Sequence, residues 1–510
     1  MKSETLKDSG ADLALVVRRH PWLTTIAAIF LVCVVVFFCF EWRAEQRWQR
    51  YAAAARARGV KLMLTDFARP EVPDEQNFAA LPMFRRRWTY TNFSIEPAFA
   101  FPRLSLDGSM RPTRRSPWNG WPPFGDPFVQ QHTVDWVQWQ KAFQAWGFLS
   151  DPTDQTAADV LRALEHYAPE FQEWRQWRVR PQCRFPLDVE HGGWLPWPCL
   201  QTFRCAVMVF TLRMRAHLAM GDSAAAYEDF EDGLQAYRAL IHQPGLNGRV
   251  THTYALQTLI NGMGGGLQSH EWSAVECRKI QATLSAIRIW DDWAFALSSE
   301  RASVNTHYES WMKTPLWKRG NQLGSYWSNT NRSIISVIPR GWIRDSQRLQ
   351  NQYFDELLAR VDTAKQTFNP DGQTPSAASN FSSPIDQYHY LFYYVTGANY
   401  ETIQARFAGV AVLLDEARIA CALELFRAKH QAYPEKLGEL MPEFIQTLPT
   451  DIYSRAPYRY QRLGKSSYRL YSVGRNRTDE GGAMSPNQSE WNQLDAVWPY
   501  APAPAAPTAP

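Results

Sequence analysis

Cysteine is scarce in this chain and is never spaced as a metal or redox motif. Seven cysteines occur in 510 residues, and no two of them form a C-x-x-C pair. This pattern excludes a disulfide-framework mini-protein and argues against a zinc ribbon or a thioredoxin-type site. We favour buried free thiols over disulfides, although Cys183–Cys199 and Cys199–Cys205 pairs stay open as alternatives.

A strong excess of charge and the motifs of common enzymes are also lacking. Lys and Arg total 54 against 50 Asp and Glu, a net charge of +4 that predicts no nucleic-acid partner. The chain has no phosphate-binding loop, no dinucleotide fingerprint and no G-x-S-x-G nucleophile elbow. We therefore predict no catalytic residues and no organic cofactor.

What the chain does contain is an ordinary globular composition with many aromatic side chains. Hydrophobic residues make up 45% and charged residues 20%, and the 22 tryptophans are unusually numerous. A length of 510 residues allows two to four domains, at about 100–200 residues each. The expected fold class is mainly α, with one membrane helix, an irregular helical array and a small C-terminal α+β domain.

An uncharged apolar run near the N-terminus predicts a transmembrane helix over 22–42, after a short tail at 1–21. The run spans Leu23–Phe40 and is flanked by Trp22 and Trp42, which suit the two membrane interfaces. A cleaved signal peptide is the alternative. It would have a shorter apolar stretch and a nearby cleavage site of small residues, and FEWRAEQRWQR follows instead.

Composition predicts five regions after the anchor. Residues 43–130 are predicted to form a helical stalk and then a Pro- and aromatic-rich segment that wraps over the helical region. The alternative for the aromatic-rich segment is a glycan- or peptide-binding platform. Residues 131–365 have helical periodicity, and 366–400 form a turn-rich linker. Residues 401–500 predict an α+β domain, and 501–510 a disordered Pro/Ala tail.

The clearest local pattern is a helical hairpin. Residues 200–220 are apolar nearly all round, which predicts a central helix, and Ser223 can cap the following helix. The A-x-x-x-M-G-D-x-x-x-A fragment between Ala216 and Ala226 is similar to part of a tetratricopeptide unit. No second copy follows at a period near 34, so an irregular array is expected. The glycines at 262, 264, 265 and 266 are expected to interrupt a helix.

The C-terminal block predicts a long amphipathic helix followed by a β-hairpin. Apolar residues recur at three- and four-residue steps from Ile403 to Leu425, and the helix is expected to end near Tyr433. The period then changes to two at Tyr458 and at Tyr468, with a turn between them.

This block resembles the head domain of the type II secretion major pseudopilins. The resemblance covers about 401–500 and is carried by YPEKL, LPTD, APYRY and SVGRNRTDEGG, which follow a long helix in the order of that family. The resemblance implies an envelope location and a calcium-binding loop. Its ligands would include Asp479 and Asp495, with Asn476 standing where the family has an aspartate. A plain structural loop is the favoured alternative. No prepilin-peptidase site precedes the helix, so polymerisation is not implied.

The rest of the chain resembles a family of bacterial membrane-anchored proteins to which no activity is assigned. The matching pieces are RPQCRFPL, LRMRAHLAMGD, GLQSHEWS and ALSSERA. The two resemblances together predict a single-pass protein of the bacterial inner membrane, with its large C-terminal part on the periplasmic side. The arginines that follow the span favour the cytoplasmic side instead, so orientation stays open.

Two polar groupings are candidates for chemistry. Glu300 and Arg301 lie near His307, and a buried Glu–Arg pair that joins helices is favoured over a metal or acid–base site. Asp386 and His389 form a possible ligand pair, but no second motif accompanies them.

The sequence therefore predicts a membrane-anchored envelope scaffold or protein-interaction protein with an unidentified protein partner. The alternatives are an envelope hydrolase or glycan-binding protein, and an accessory component of a type II secretion or pilus-like system.

Overall fold

The protein is mainly helical in a computed structural model. The structure describes residues 21–89, 95–100, 134–189, 195–315, 338–372, 400–483 and 495–498, together with 318, 383, 386, 389–390 and 393. Its helices are α1 Pro21–Ala57, α2 Pro82–Arg85, α3 Trp136–Ala145, α4 Thr156–Leu164, α5 Ala168–Arg178, α6 Trp197–Ala219, α7 Ser223–Leu240, α8 Leu246–Gln268, α9 Ala274–Ser285, α10 Ile289–Lys313, α11 Arg340–Ala359 and α12 Tyr400–His430.

The chain divides into two compact units. The smaller unit comprises Met1–Met63, Val304–Glu356 and Thr374–Ala398, and the larger unit comprises Leu64–Ser303, Leu357–Gln373 and Asn399–Pro510. Helices α10 and α11 each run from one unit into the other. The Pro/Ala tail and most of the predicted linker at 366–400 lie outside the described residues.

The core of the larger unit is the predicted hairpin of α6 and α7, on which α8 packs. Helix α6 is buried along most of its length, as its nearly uniform apolar sequence requires. Gly221 turns the chain with φ 77°, a left-handed conformation that glycine adopts without strain. The N-cap of α7 is Asp222, whose side chain accepts from the N–H of Ala225 at 2.9 Å, and not Ser223, which begins the helix.

The prediction that the glycines interrupt a helix is wrong, because α8 runs unbroken from Leu246 to Gln268. A Cβ at Gly262 would lie 2.2 Å from Cγ2 of Thr211. A Cβ at Gly266 would lie 2.5 Å from Cδ1 of Leu218. These glycines therefore serve the close approach of α8 to α6 and not a break in the backbone.

Helix α12 packs against α8 and α9 and is the second long core element of the larger unit. It ends at His430, three residues before the predicted end. A three-stranded antiparallel sheet follows in the order β3–β4–β5, with β3 Arg459–Arg462, β4 Tyr468–Ser472 and β5 Ala496–Val497. The register pairs Tyr460 with Leu470, so the predicted hairpin is confirmed. A separate two-stranded ribbon joins β1 Val361–Asp362 to β2 Thr367–Phe368.

The described part of the aromatic-rich segment packs its rings on helices of the larger unit. Phe78 contacts Trp174 edge-on at 5.1 Å between ring centroids, and Phe84 stacks on Phe203 at 4.7 Å. Both phenylalanines are almost completely buried. The most Pro-rich stretch, at 116–128, lies outside the described residues.

In the smaller unit, the polar half of α1 pairs with α11. Arg47 donates to both carboxylate oxygens of Asp345, at 2.8 and 3.0 Å, and Arg344 donates to Glu45 at 2.6 Å. The N–H of Gly341, at the start of α11, donates to Glu41 at 2.9 Å. These bonds hold the residues just after the apolar run firmly in the folded unit.

One helix of the described chain is long and apolar enough to cross a membrane, over Thr25–Ala57. Its apolar part is exposed to solvent, with Phe30 69% and Val32 60% exposed. Large apolar side chains at such exposure are unusual on a water-facing surface.

Candidate functional site

Glu300, the leading residue of the predicted polar cluster, stabilises the start of another helix. Its carboxylate accepts from the N–H of Leu246 at 3.0 Å, while Ser299 accepts from the N–H of Gly245 at 3.1 Å. These two donors lie at the beginning of α8 and have no partner within that helix. Burial raises the pKa of Glu300 to about 6, against the opposing effect of the Leu246 N–H and of Tyr400. Glu300 is therefore a buried capping group.

The other two members of the predicted cluster differ in burial and belong to different units. Arg301 is buried in the larger unit, whereas His307 belongs to the smaller unit and is exposed. Asp386 and His389 also take different partners in the smaller unit. Asp386 accepts from the hydroxyl of Ser383 at 2.8 Å, whereas a ring nitrogen of His389 lies 3.3 Å from Asp345.

Asp479, the first predicted calcium ligand, has both carboxylate oxygens occupied by protein donors. One oxygen accepts from the Tyr471 hydroxyl at 2.9 Å and from the N–H of Gly481 at 3.0 Å. The other accepts from Arg459 at 2.9 Å. An arginine on the carboxylate places positive charge where a cation would have to bind.

The other two predicted ligands also have protein partners, although one oxygen of Asp495 has none. Asp495 accepts from the N–H of Gly482 at 2.7 Å, and burial together with Glu480 raises its pKa to about 6. Asn476 accepts from the N–H of Thr478 at 3.1 Å and donates to Glu480 at 2.6 Å.

This donor set does not fit calcium as it is arranged. Calcium requires six to eight oxygen ligands with several negative charges. Within the described residues, no group of three or more His, Cys, Asp or Glu side chains is placed to hold a metal ion. Calcium at 476–495 therefore stays a prediction from the resemblance.

The cysteines offer no reactive thiol in the larger unit. Cys199, Cys205, Cys277 and Cys421 are buried and unpaired, as the sequence analysis favours, and Cys183 is partly buried. Burial raises the pKa of Cys205 to about 12, so the thiolate that a nucleophile or a metal ligand needs does not form near neutral pH.

A group of acidic side chains lies beneath the C-terminal sheet. Asp451 accepts from the hydroxyls of Ser472 and Ser454 at 2.8 and 2.9 Å, whereas Glu416 is buried on α12 with one carboxyl oxygen lacking a hydrogen-bond partner. Burial raises the pKa of Glu416 well above its usual value, and the neighbouring Asp451 and Asp415 raise it further. Glu416 therefore holds its proton to a higher pH in the folded protein than in the unfolded chain.

Replacing Glu416 by glutamine should stabilise the protein at pH 8 and change little at pH 5. The folded state retains a proton that the unfolded chain releases above the ordinary glutamate range, so this group contributes stability at low pH that is lost as the pH rises. Glutamine keeps an oxygen for the N–H of Ser472 and cannot ionise. Thermal unfolding at the two pH values is the measurement.

The matched control is Glu424→Gln on the same helix. Glu424 accepts from Arg427 at 3.0 Å and from Tyr433, and lies 3.1 Å from a ring nitrogen of His270. Its removal should lower the melting temperature at both pH values, because it breaks a buried, paired charge. A Glu416→Gln effect independent of pH would contradict the assignment of a raised pKa.

A polar network that no sequence motif marks lies in the centre of the larger unit. Asp292 on α10 accepts from the Tyr237 hydroxyl at 2.5 Å and is 3.0 Å from Nε2 of His252. Nδ1 of His252 is 3.1 Å from the carbonyl oxygen of Tyr237. The guanidinium of Arg249 lies 3.8 Å from the other oxygen of Asp292. Three helices, α7, α8 and α10, each contribute to it.

This network includes the residue types of an acid–base relay, but its geometry is structural. His252 is fully buried and both of its ring nitrogens have partners, so no nitrogen faces a substrate. Burial lowers the pKa of His252, against the opposing effects of Asp292 and of the carbonyl oxygen of Tyr237. Burial alone would raise the pKa of Asp292, but His252, Arg249 and Tyr237 hold it below its usual value. The arrangement joins three helices around one carboxylate.

Sequence reasoning missed this network because its members are separated along the chain. Tyr237, His252 and Asp292 each occupy an ordinary position inside a long helix. The one available signal is that all three are polar residues on helix faces that periodicity assigns to the core.

Comparison with protein-family models, with curated proteins and with solved structures finds no match for this chain.

Proposed function

We propose that this protein is a single-pass membrane protein whose folded units act as a non-enzymatic scaffold for a protein partner. The observation that carries the proposal is the continuity of α1, which passes without a break from an exposed apolar half into a polar half packed in the smaller unit. Cleavage after the apolar run would have to cut inside a continuous helix, immediately before residues that pack in the smaller unit, which argues against a signal peptide.

The scaffold role is supported by the state of the polar side chains. Glu300 caps a helix, His252 is enclosed, and Asp386 and His389 bind different partners. An envelope hydrolase would need such groups to converge on a cleft that admits substrate. Large apolar side chains exposed outside α1 are scattered singly in the described chain, for example Val137, Val179 and Val275, so the described residues form no extended apolar groove.

The full chain should stay in the membrane fraction after alkaline carbonate washing and be released by detergent alone. Its intact mass should include the apolar run. Substituting Val32→Arg and Val35→Arg should abolish this retention, because each arginine at the centre of a span costs about 2.5–3.5 kcal/mol. The paired control Val32→Leu with Val35→Leu should behave as the parent. Release by carbonate, or a mature N-terminus near residue 41, would overturn the proposal.

The location that best accords with the resemblances is the bacterial inner membrane, with the larger unit on the periplasmic side. A tag placed after Pro510 tests this orientation. Protease added to osmotically opened cells should remove the tag. Survival of the tag until detergent is added would place the larger unit in the cytoplasm, and the pseudopilin resemblance would then concern the fold alone.

A further inference from the structure

Arginine and histidine side chains lie around Phe295, a half-buried residue on α10 in the larger unit. The guanidinium carbon of Arg249 lies 4.7 Å from the ring centroid, and that of Arg69 lies 5.8 Å from it. The imidazole of His242 is 6.3 Å away between ring centroids. Arg69 and His242 are exposed, whereas Arg249 is completely buried behind them.

A third arginine belongs to the same cluster. Arg184 donates to the carbonyl oxygen of Pro70 at 2.8 Å, which places it beside Arg69. The two arginines are close enough that Arg184 lowers the pKa of Arg69, after the larger effect of burial. Burial lowers the pKa of His242, and Arg69, Arg249 and Arg184 lower it further.

The positive charge of this cluster is only partly compensated. The cluster itself holds three arginines and one carboxylate, Asp292, which gives these four groups a formal charge of +2. One oxygen of Asp292 is occupied by Tyr237 and His252, and the other lies 3.8 Å from Nη1 of Arg249. Two buried nitrogens of Arg249, Nε and Nη1, have no hydrogen-bond acceptor. A buried guanidinium with unsatisfied donors is costly unless a further negative group compensates it.

We propose that the cluster around Phe295 binds a phosphate dianion, either inorganic phosphate or the terminal group of a phosphomonoester. The planar fork of arginine matches the oxygens of phosphate, and two guanidinium groups can each contribute two donors. A phosphomonoester carries about −1.5 to −2 charges at neutral pH, which equals the uncompensated charge of the cluster. A singly charged carboxylate or phosphodiester would leave part of that charge uncompensated. Arg69, Arg184 and His242 contact the ligand, and Arg249 supplies charge from behind the ring.

Calorimetric titration of the detergent-solubilised full chain with inorganic phosphate tests the proposal. Sodium chloride at matched ionic strength serves as the reference. Saturable binding should appear with phosphate alone, and Arg69→Gln and Arg184→Gln should each weaken it by tenfold or more. The matched control Arg288→Gln should bind as the parent, because Arg288 is an exposed arginine of the same unit that pairs with Asp291 at 2.6 Å. Equal binding by all three variants would overturn the assignment of the site.

A second readout separates loss of the site from loss of folding. Phosphate should raise the pKa of His242 measured by NMR, since an anion offsets the arginines that lower it. The resonance is assigned with His242→Gln. An unchanged pKa of His242 at saturating phosphate would contradict the proposal.

Vesicles of phosphatidylglycerol, a phosphodiester, distinguish a lipid headgroup from a free phosphate. Binding to the vesicles without binding to inorganic phosphate would also overturn the proposal.

Discussion

Replacing Gly262 by alanine should destabilise the protein by about 1–3 kcal/mol, the usual cost of overfilling a packed core. In an exposed helix the same change is stabilising by about 1 kcal/mol, because alanine has the higher helix propensity. We therefore expect Gly262→Ala to lower the free energy of unfolding, whereas helix propensity alone would raise it. Urea denaturation followed by tryptophan fluorescence measures the difference in the free energy of unfolding.

The physical reason is the fixed position of Thr211 opposite this glycine. Its hydroxyl donates to the carbonyl oxygen of Val207 at 2.7 Å, which sets the rotamer and holds Cγ2 2.2 Å from the position of the new Cβ. Rotating Thr211 away would break that buried hydrogen bond, and moving α8 outward would open a cavity.

The matched control is Gly438→Ala in the 3₁₀ turn Leu437–Leu440. No atom lies within 4 Å of a Cβ built at Gly438, so the change should alter the free energy of unfolding by less than about 0.5 kcal/mol. A stabilising Gly262→Ala would show that α6 and α8 do not approach this closely.

Replacing Asp292 by alanine should cost about 3–5 kcal/mol, the loss typical of removing one partner from a buried charged pair. The Tyr237 hydroxyl and Nε2 of His252 lose their common partner, and the guanidinium of Arg249 loses the carboxylate that lies 3.8 Å away. Arg249 is then a buried cation without its carboxylate, inside the core of three helices. Chemical denaturation of the full chain in detergent is the measurement.

Its neighbour Asp291 provides the control. Asp291 pairs with Arg288 at 2.6 Å, but its side chain is 44% exposed. Removal of an exposed ion pair costs about 1 kcal/mol or less. Equal losses for Asp291→Ala and Asp292→Ala would contradict the assignment of the central network.

Helices and strands with strong local patterns could be predicted from the sequence. The apolar run at Leu23–Phe40 lies in α1, the 200–220 stretch lies in α6, and the alternating tyrosines form β3 and β4. In each case the period of apolar residues and the nearby turn residues point to the same element. The end of α12 is three residues off, because the terminal turn depends on tertiary contacts.

The glycines of α8 show why local rules fail where two helices meet. Four glycines in five positions predict a break from propensity alone, at about 1 kcal/mol each relative to alanine. The contacts with Thr211 and Leu218 outweigh that preference, because a side chain at these positions has no space. Only the packing of α6 on α8 shows this.

The sequence by itself determined the order and type of the long elements and the presence of an apolar helix that can span a membrane. These properties depend on residues within a few positions of one another. The tertiary structure decided the roles of the polar residues. Asp292 joins three helices, Glu300 caps α8, and the positive charges converge around Phe295. Such roles depend on partners that are distant in sequence. Burial alone changes the free energy of a charged side chain by more than the helix propensity of any ordinary residue does.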